Sequence, residues 1–141
     1  MTTITKTFAM IKPDAYKKQL VGDVIGIIEG NGLQIAEMKL GRLSTSAAGI
    51  FYAEHKDRFF FQDLCFFISS GPVVAMVLQL EDEDVVPVWR ELMGATDSGK
   101  AAVGTIRHTW GSREVMMENI VHGSDSTESA EREIPLMFGL L

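Results

Sequence analysis

A single cysteine, four prolines and no long apolar run set the first limits on this chain of 141 residues. One cysteine excludes an intramolecular disulfide, which suits a reducing compartment. Cys65 lies within Leu64-Cys65-Phe66-Phe67-Ile68. Such a setting favours packing over thiol chemistry, because a reactive thiol wants polar, electropositive surroundings. No repeat, low-complexity tract or Pro/Gly/Ser-rich linker interrupts the chain, so one domain over residues 1–141 is expected. No segment reaches the length of apolar residues that spans a bilayer. Met1 to Ile11 lack the basic start and apolar core of a signal peptide. The expectation is a soluble, cytoplasmic protein with no membrane partner.

Basic residues are also scarce. Thirteen Lys and Arg stand against nineteen Asp and Glu, for a net charge of −6, and they form no cluster. A general nucleic-acid binder carries a basic face, so no nucleic-acid partner is expected. Any cations that hold phosphate must be few and individually placed. Several familiar devices are missing as well. The chain contains no Walker-type glycine loop and no Rossmann Gly-x-Gly-x-x-Gly. It has no Gly-x-Ser-x-Gly elbow, and its three histidines, at 55, 108 and 122, lack metal-ligand spacing.

What is present reads as an ordinary globular chain, 46% hydrophobic and 23% charged. Its length suffices for a core without disulfides or a structural metal. Phe8 to Ile11, stopped by Pro13, reads as a buried strand. Val21, Val24, Ile25 and Ile28 follow helical spacing, with Gly32 placed to end the helix. Gly26 and Gly30 inside it weaken helix propensity and suggest close approach by a neighbour. Ala36, Met38 and Leu40 alternate with Glu37, Lys39 and Gly41, as in a half-buried strand. Ser44 suits a helix N-cap, and Ala47, Ala48, Phe51, Tyr52 and His55 share one face of the helix that follows. Phe59 to Ile68 fits either helix or strand. Val73 to Leu80 reads as a central strand. Acidic residues 81–84 precede a helix carrying Val85, Trp89, Leu92 and Met93, with Pro87 in its first turn. Thr96 to Gly104 and His108 to Arg113 read as loops. Ile120-Val121 is too short to assign. A last helix begins near Ser126, with Asp125 as N-cap, Glu128 three residues on, and an apolar face of Ala130, Ile134, Met137 and Phe138. Strands interleaved with helices predict an α/β sandwich, helices covering a sheet.

Chemistry concentrates in Asn119-Ile120-Val121-His122-Gly123-Ser124-Asp125-Ser126. Two apolar residues bury the chain before His122, Gly123 permits a sharp turn, and a helix follows. That places an imidazole at a strand-to-helix corner, where unpaired N–H groups favour anions. It can serve there as a base or nucleophile, or simply as a turn histidine satisfied by hydrogen bonds. Glu133, on the edge of the following helix's buried face, is placed to orient and tune the ring; otherwise it is an exposed helix glutamate. Lys12, Arg58, Arg90 and Arg107 stand at element ends, where guanidinium and ammonium groups suit phosphate. Taken singly, each also reads as a surface charge.

From Met10-Ile11-Lys12-Pro13-Asp14 to Glu133-Ile134, the chain resembles the nucleoside diphosphate kinase family. The segment from Asn119 to Ser126 resembles its active-site signature. Tyr52-Ala53-Glu54-His55-Lys56, Ser70-Gly71-Pro72-Val73-Val74 and Gly104-Thr105-Ile106-Arg107 match further landmarks. The resemblance implies ping-pong transfer of a γ-phosphoryl group from a nucleoside triphosphate to a diphosphate through phosphohistidine on His122. Mg²⁺ would be held mainly by the nucleotide phosphates rather than by protein side chains. Lys12, Arg90, Thr96 and Arg107 match phosphate-contacting positions, and Asn119 matches a residue bonding sugar and phosphate. Phe60 matches the aromatic on which the base stacks. Tyr52, Ser124 and Glu133 match the shell around the histidine. The implied fold is a ferredoxin-like, four-stranded antiparallel sheet covered by helices.

The resemblance has departures. Phe59 stands where proline is usual, and Gln19 where glycine is usual. The segments from Leu80 to Trp89 and from Arg107 to Asn119 are each two residues longer than typical. The loop from Asp97 to Val103 lacks the usual prolines, and little chain follows the last helix. In the family such loops and tails build larger assemblies from dimers. A homo-oligomer is therefore expected, dimer or tetramer ahead of hexamer.

Overall fold

The computed structural model describes residues 2–141. Strand β1 (Ile4–Ile11) is followed by helices α1 (Pro13–Lys17) and α2 (Val21–Gly30), then by strand β2 (Gln34–Gly41). Helices α3 (Thr45–Phe51) and α4 (Phe61–Ile68) lead into strand β3 (Val73–Glu81). Helices α5 (Val85–Met93) and α6 (Ile106–Trp110), strand β4 (Val121–Gly123) and helix α7 (Thr127–Leu140) complete the order. The four strands form one antiparallel sheet in the order β2-β3-β1-β4. This is the ferredoxin-like α+β arrangement that the family resemblance implies.

The sheet has two buried faces because β1 alternates. Phe8 and Met10 point to one side and meet Phe51, Leu64, Cys65, Ile68 and Met137 from α3, α4 and α7. Ala9 and Ile11 point to the other, against Val24, Ile28, Trp89, Met93 and Ile106 from α2, α5 and α6. Strands buried on both faces read as continuous apolar runs, which is why Phe8–Ile11 and Val73–Leu80 are so clear in the sequence.

The ambiguous run from Phe59 to Ile68 is helix from Phe61 onward, with Phe60 as its N-cap. Leu64, Cys65 and Ile68 are buried on one side of α4, while Phe66 on the other is 64% exposed.

Several expectations are corrected. β2 lies where alternation predicts it but is not half-buried: Met38 and Leu40 are 54% and 58% exposed. They face the side of Met76 and Val74, opposite which they pair, but β2 is an edge strand and the helices cover its inner neighbours. The stretch from His108 is not all loop, because α6 runs to Trp110, capped by the Thr105 hydroxyl accepting from His108 N. Thr96 to Gly104 contains a short 3-10 turn at Ser98–Lys100. Helix α3 stops at Phe51, so Tyr52 is its C-cap and His55 belongs to a separate 3-10 turn. The N-cap of α7 is Ser126, whose hydroxyl accepts from Ser129 N, rather than Asp125. Among the described residues, and apart from its own helix backbone, nothing lies within 4 Å of a Cβ built at Gly26 or Gly30, so the expected close approach is not made there.

Candidate active site

His122 is the middle residue of β4, opposite Met10 of β1. The chain enters this short strand through Ile120, whose φ of 74° is unusual for a β-branched residue. Two contacts hold that turn: Ile120 N donates to Asp14 Oδ2 at 3.0 Å, and Lys12 N donates to Ile120 O at 2.9 Å. The imidazole lies among aromatic rings, 5.7 Å from Phe8 and 5.8 Å from Phe51, centroid to centroid. Behind it, Trp89 Nε1 donates weakly to His122 O at 3.4 Å. Gly123 is tightly packed here: a Cβ would meet Met93 Cε at 2.5 Å and Trp89 Nε1 at 2.7 Å, so a larger residue requires those side chains to shift.

Helix α7 brings Glu133 under the ring. Glu133 Oε1 lies 2.5 Å from His122 Nε2, with the carboxylate side chain 6% exposed and the imidazole 23%. The carboxylate thus fixes one ring nitrogen and leaves Nδ1 outside that contact. Tyr52 packs edge-on to Phe51 at 4.9 Å. Burial, then the Glu133 charge, pushes its phenol above the usual tyrosine range. Ser124 is 1% exposed; its N donates to Phe8 O, but its Oγ finds no partner. Its side chain therefore bonds neither His122 nor Glu133 in this arrangement.

A second group forms at the end of β1. Lys12 Nζ donates to Asn119 Oδ1 at 2.7 Å and to Met117 O at 3.3 Å. Asn119 Nδ2 donates in turn to Thr96 O at 2.8 Å. Burial, with repulsion from Arg107 second and attraction to Asp14 opposing both, brings the Lys12 ammonium down to about 7. Arg107 is 6% exposed and donates to three backbone carbonyls, those of Gly94, Asn119 and Val121. Burial, followed by Arg90, lowers its guanidinium to about 10.

Lys12, Tyr52, Phe60, Thr96, Asn119 and His122 line one cavity of about 530 Å³. Arg107 underlies it through its bond to Asn119 O. Arg90 is the outlier. It forms an ion pair with Asp125 at 2.9 Å and lines a neighbouring cavity with Asp84, Pro87 and Ser126. Arg58, a further candidate cation, is exposed and outside the cavity lining. Sequence reasoning missed Asp14, which is 5% exposed and supports the Ile120 turn; its place directly after Pro13 at a strand end was the available signal. It also missed Phe59, Asp63 and Met116, which line the cavity beside Phe60.

This is a nucleophile-capable imidazole with an oriented rear nitrogen, facing a cleft that joins cationic groups to an aromatic wall. Among the described residues, no group of three or more His, Cys, Asp and Glu side chains stands together as a metal site, and no helix is long and apolar enough to cross a membrane.

A family model described as nucleoside diphosphate kinase matches residues 5–140. The nucleoside diphosphate kinase of Bdellovibrio bacteriovorus is 51% identical over 136 residues, covering 96% of this chain and 94% of the relative. That of Geotalea uraniireducens is 51% identical over 136 residues, covering 96% of each. Among solved structures, the Aquifex aeolicus nucleoside diphosphate kinase superposes with a TM-score of 0.89 at 41% identity, covering 96% of both chains. A halophilic nucleoside diphosphate kinase from Halobacterium salinarum, in complex with CDP, gives a TM-score of 0.89 at 43% identity, covering 96% of this chain and 88% of that one.

Proposed function

The chain belongs to the nucleoside diphosphate kinase family and transfers phosphoryl groups from nucleoside triphosphates to nucleoside diphosphates, and we propose that His122 carries the group. The observation that supports this most is the His122–Glu133 contact at 2.5 Å beside the cleft. With Nε2–H donating to Glu133, the lone pair rests on Nδ1. Nδ1 attacks the γ-phosphorus and the bond to the β-phosphate oxygen breaks. The nucleoside diphosphate leaves, and the ring, now positive, keeps its Nε2 proton against the Glu133 carboxylate. A second diphosphate enters, its terminal β-phosphate oxygen attacks phosphorus, and the P–N bond breaks. No net proton is transferred in either half.

The remaining residues position substrate and balance charge, the main work in phosphoryl transfer. Lys12, Arg107 and Thr96 hold the phosphates and Asn119 the sugar and phosphate. Phe60 stacks the base, a contact that tolerates purines and pyrimidines because every base has a π-face. Arg90, which keeps Nη1 on Asp125, has further N–H groups to offer a phosphate. Tyr52 and Ser124 pack around the histidine–glutamate pair. Family members act with a divalent cation, which we take to be Mg²⁺. It would be held by the nucleotide's phosphates rather than by protein side chains, and would supply neutralisation of their charge.

We read the chain as a single-domain cytoplasmic protein that forms a homo-oligomer built from dimers. Support comes from the uncovered edge strand β2, with Met38 and Leu40 exposed, since apolar edges favour pairing with another chain. Sedimentation of wild type and a Met38→Lys/Leu40→Glu variant tests this; an unchanged assembly removes β2 from the interface.

The test of the chemistry is incubation with γ-labelled ATP and Mg²⁺, then a GDP chase. Acid-labile, base-stable label on wild type but not on His122→Ala, released as GTP, is the expected result. Label on both proteins would place the nucleophile elsewhere.

A further inference from the structure

Phe60 is the N-cap of α4, and Asp63 is three residues further on. Residues three apart on a helix share a face, and both residues line the same cavity, together with Leu64. Asp63 is exposed and has no ion-pair partner among the described residues. The ion pairs of the described residues are His55–Glu54, Arg90–Asp125, His122–Glu133 and Arg132–Glu54, and none includes it. It is also the one carboxylate lining this cavity, whose other ionisable side chains are Lys12, Tyr52, His55 and His122.

The position of that carboxylate matters. Asn119 links Lys12 to Thr96 by hydrogen bonds and gathers the three together. Asp63 is outside that hydrogen-bonded group and stands on α4 just after Phe60 and Phe59, whose ring stands 5.5 Å from that of Phe60 at 87° and is 98% exposed. A carboxylate among the phosphate-holding cations would weaken binding of an anionic substrate. At the aromatic end it meets a base instead.

We propose that Asp63 is a specificity-determining residue that favours guanine nucleotides, a role that rests on the kinase reading and refines it. An ionised carboxylate only accepts hydrogen bonds. Guanine presents two adjacent donors, N1–H and the 2-amino group, which match two carboxylate oxygens. Adenine and cytosine offer one amino group beside a ring nitrogen that repels the second oxygen. Uracil and thymine offer one N–H between two carbonyls that both repel. Stacking on Phe60 admits every base, and Asp63 ranks them. The effect is modest because the carboxylate is open to water: about three- to tenfold in kcat/KM, the scale of one solvent-exposed charged hydrogen bond.

A competing role is electrostatic, since an acidic residue in the first turn of α4 stabilises the helix. That role would alter melting temperature and leave nucleotide ranking untouched. The experiment therefore compares transfer from ATP to GDP, IDP and UDP by wild type, Asp63→Ala and Asp63→Asn. IDP keeps N1–H and lacks only the 2-amino group. The expected result is a GDP preference over both IDP and UDP in wild type, carried in KM rather than kcat. It should collapse toward equality in Asp63→Ala and recover partly in Asp63→Asn, which keeps one acceptor oxygen. Equal GDP-to-IDP and GDP-to-UDP ratios in wild type and Asp63→Ala would overturn the proposal while leaving the kinase intact. Failure of wild type to transfer to any of the three diphosphates would overturn the kinase reading and this proposal together.

Discussion

His122 Nε2 and Glu133 Oε1 stand 2.5 Å apart, and only 6% of the carboxylate side chain reaches solvent. A buried carboxylate that accepts from a ring nitrogen stabilises the ring most when the ring is positive. The phosphorylated imidazole of the proposed mechanism is that state. Glu133→Gln keeps an acceptor oxygen but removes the charge. Charged hydrogen bonds contribute about 1.5–3 kcal/mol, so transfer should slow by roughly ten- to a hundredfold. His122→Ala should lose transfer altogether while nucleotide binding survives. Rapid-quench measurement of the phosphoenzyme step checks both, and an unchanged rate in Glu133→Gln would reduce Glu133 to packing.

Lys12 leads to a prediction about protons. Its ordinary value is 10.5, and burial followed by Arg107 brings it to about 7 in the folded chain. Between those values the unfolded chain binds more protons than the folded one, so stability rises with pH from about 7 toward 10.5. Below about 7 the ammonium is charged in both states, and the folded chain bears the burden of burying it. If Lys12 holds nucleotide phosphates as proposed, they favour its charged form, and binding near pH 7.5 should draw in a proton. Calorimetric titration of ADP in buffers of different ionisation enthalpy measures that uptake. Heats that do not depend on the buffer, or that lose no dependence in Lys12→Met, would contradict it.

The backbone around the histidine is equally testable. A Cβ at Gly123 would lie 2.5 Å from Met93 Cε and 2.7 Å from Trp89 Nε1. Trp89 and Met93 are 0% and 1% exposed, so any shift must be made inside the core. Overpacking of this sort typically costs about 1–3 kcal/mol. Gly123→Ala should therefore lower the urea midpoint, and because residue 123 adjoins His122 it should also depress kcat. A stable variant with normal kcat would mean that β4 shifts freely, against the three bonds by which Arg107 holds Gly94, Asn119 and Val121.

How far the sequence discloses all this depends on the kind of signal. Phe8–Ile11 and Val73–Leu80 are legible because central strands buried on both faces must be apolar throughout. β2 is only half legible: alternation locates Met38 and Leu40 but cannot tell a covered face from an uncovered edge. α6 escapes detection because its five residues, Ile106–Trp110, are shorter than two helical turns. In the site, His122 and Glu133 are recognisable from their spacing around one helix start. The joining of Lys12 to Asn119, 107 positions apart, is a tertiary fact that no local pattern carries. Arg90 shows the converse, a cation at a phosphate-matching position that the fold pairs with Asp125.

Gln19 offers the last test. The family usually has glycine at this position, and Gln19 adopts a φ of 60°, the left-handed region. It sits in the turn between α1 and α2, where Gln19 N donates to Tyr16 O and Leu20 N to Ala15 O. A non-glycine residue in that region costs about 1–2 kcal/mol, whereas glycine carries about 0.5–1 kcal/mol of extra chain entropy into the unfolded state. The first term exceeds the second, so Gln19→Gly should stabilise the chain by up to about 1 kcal/mol. Equilibrium urea unfolding reads this as a higher midpoint at unchanged slope. A lower midpoint would mean that the Gln19 side chain contributes more at the surface, beside Tyr16, Lys17 and Val21, than its backbone strain removes.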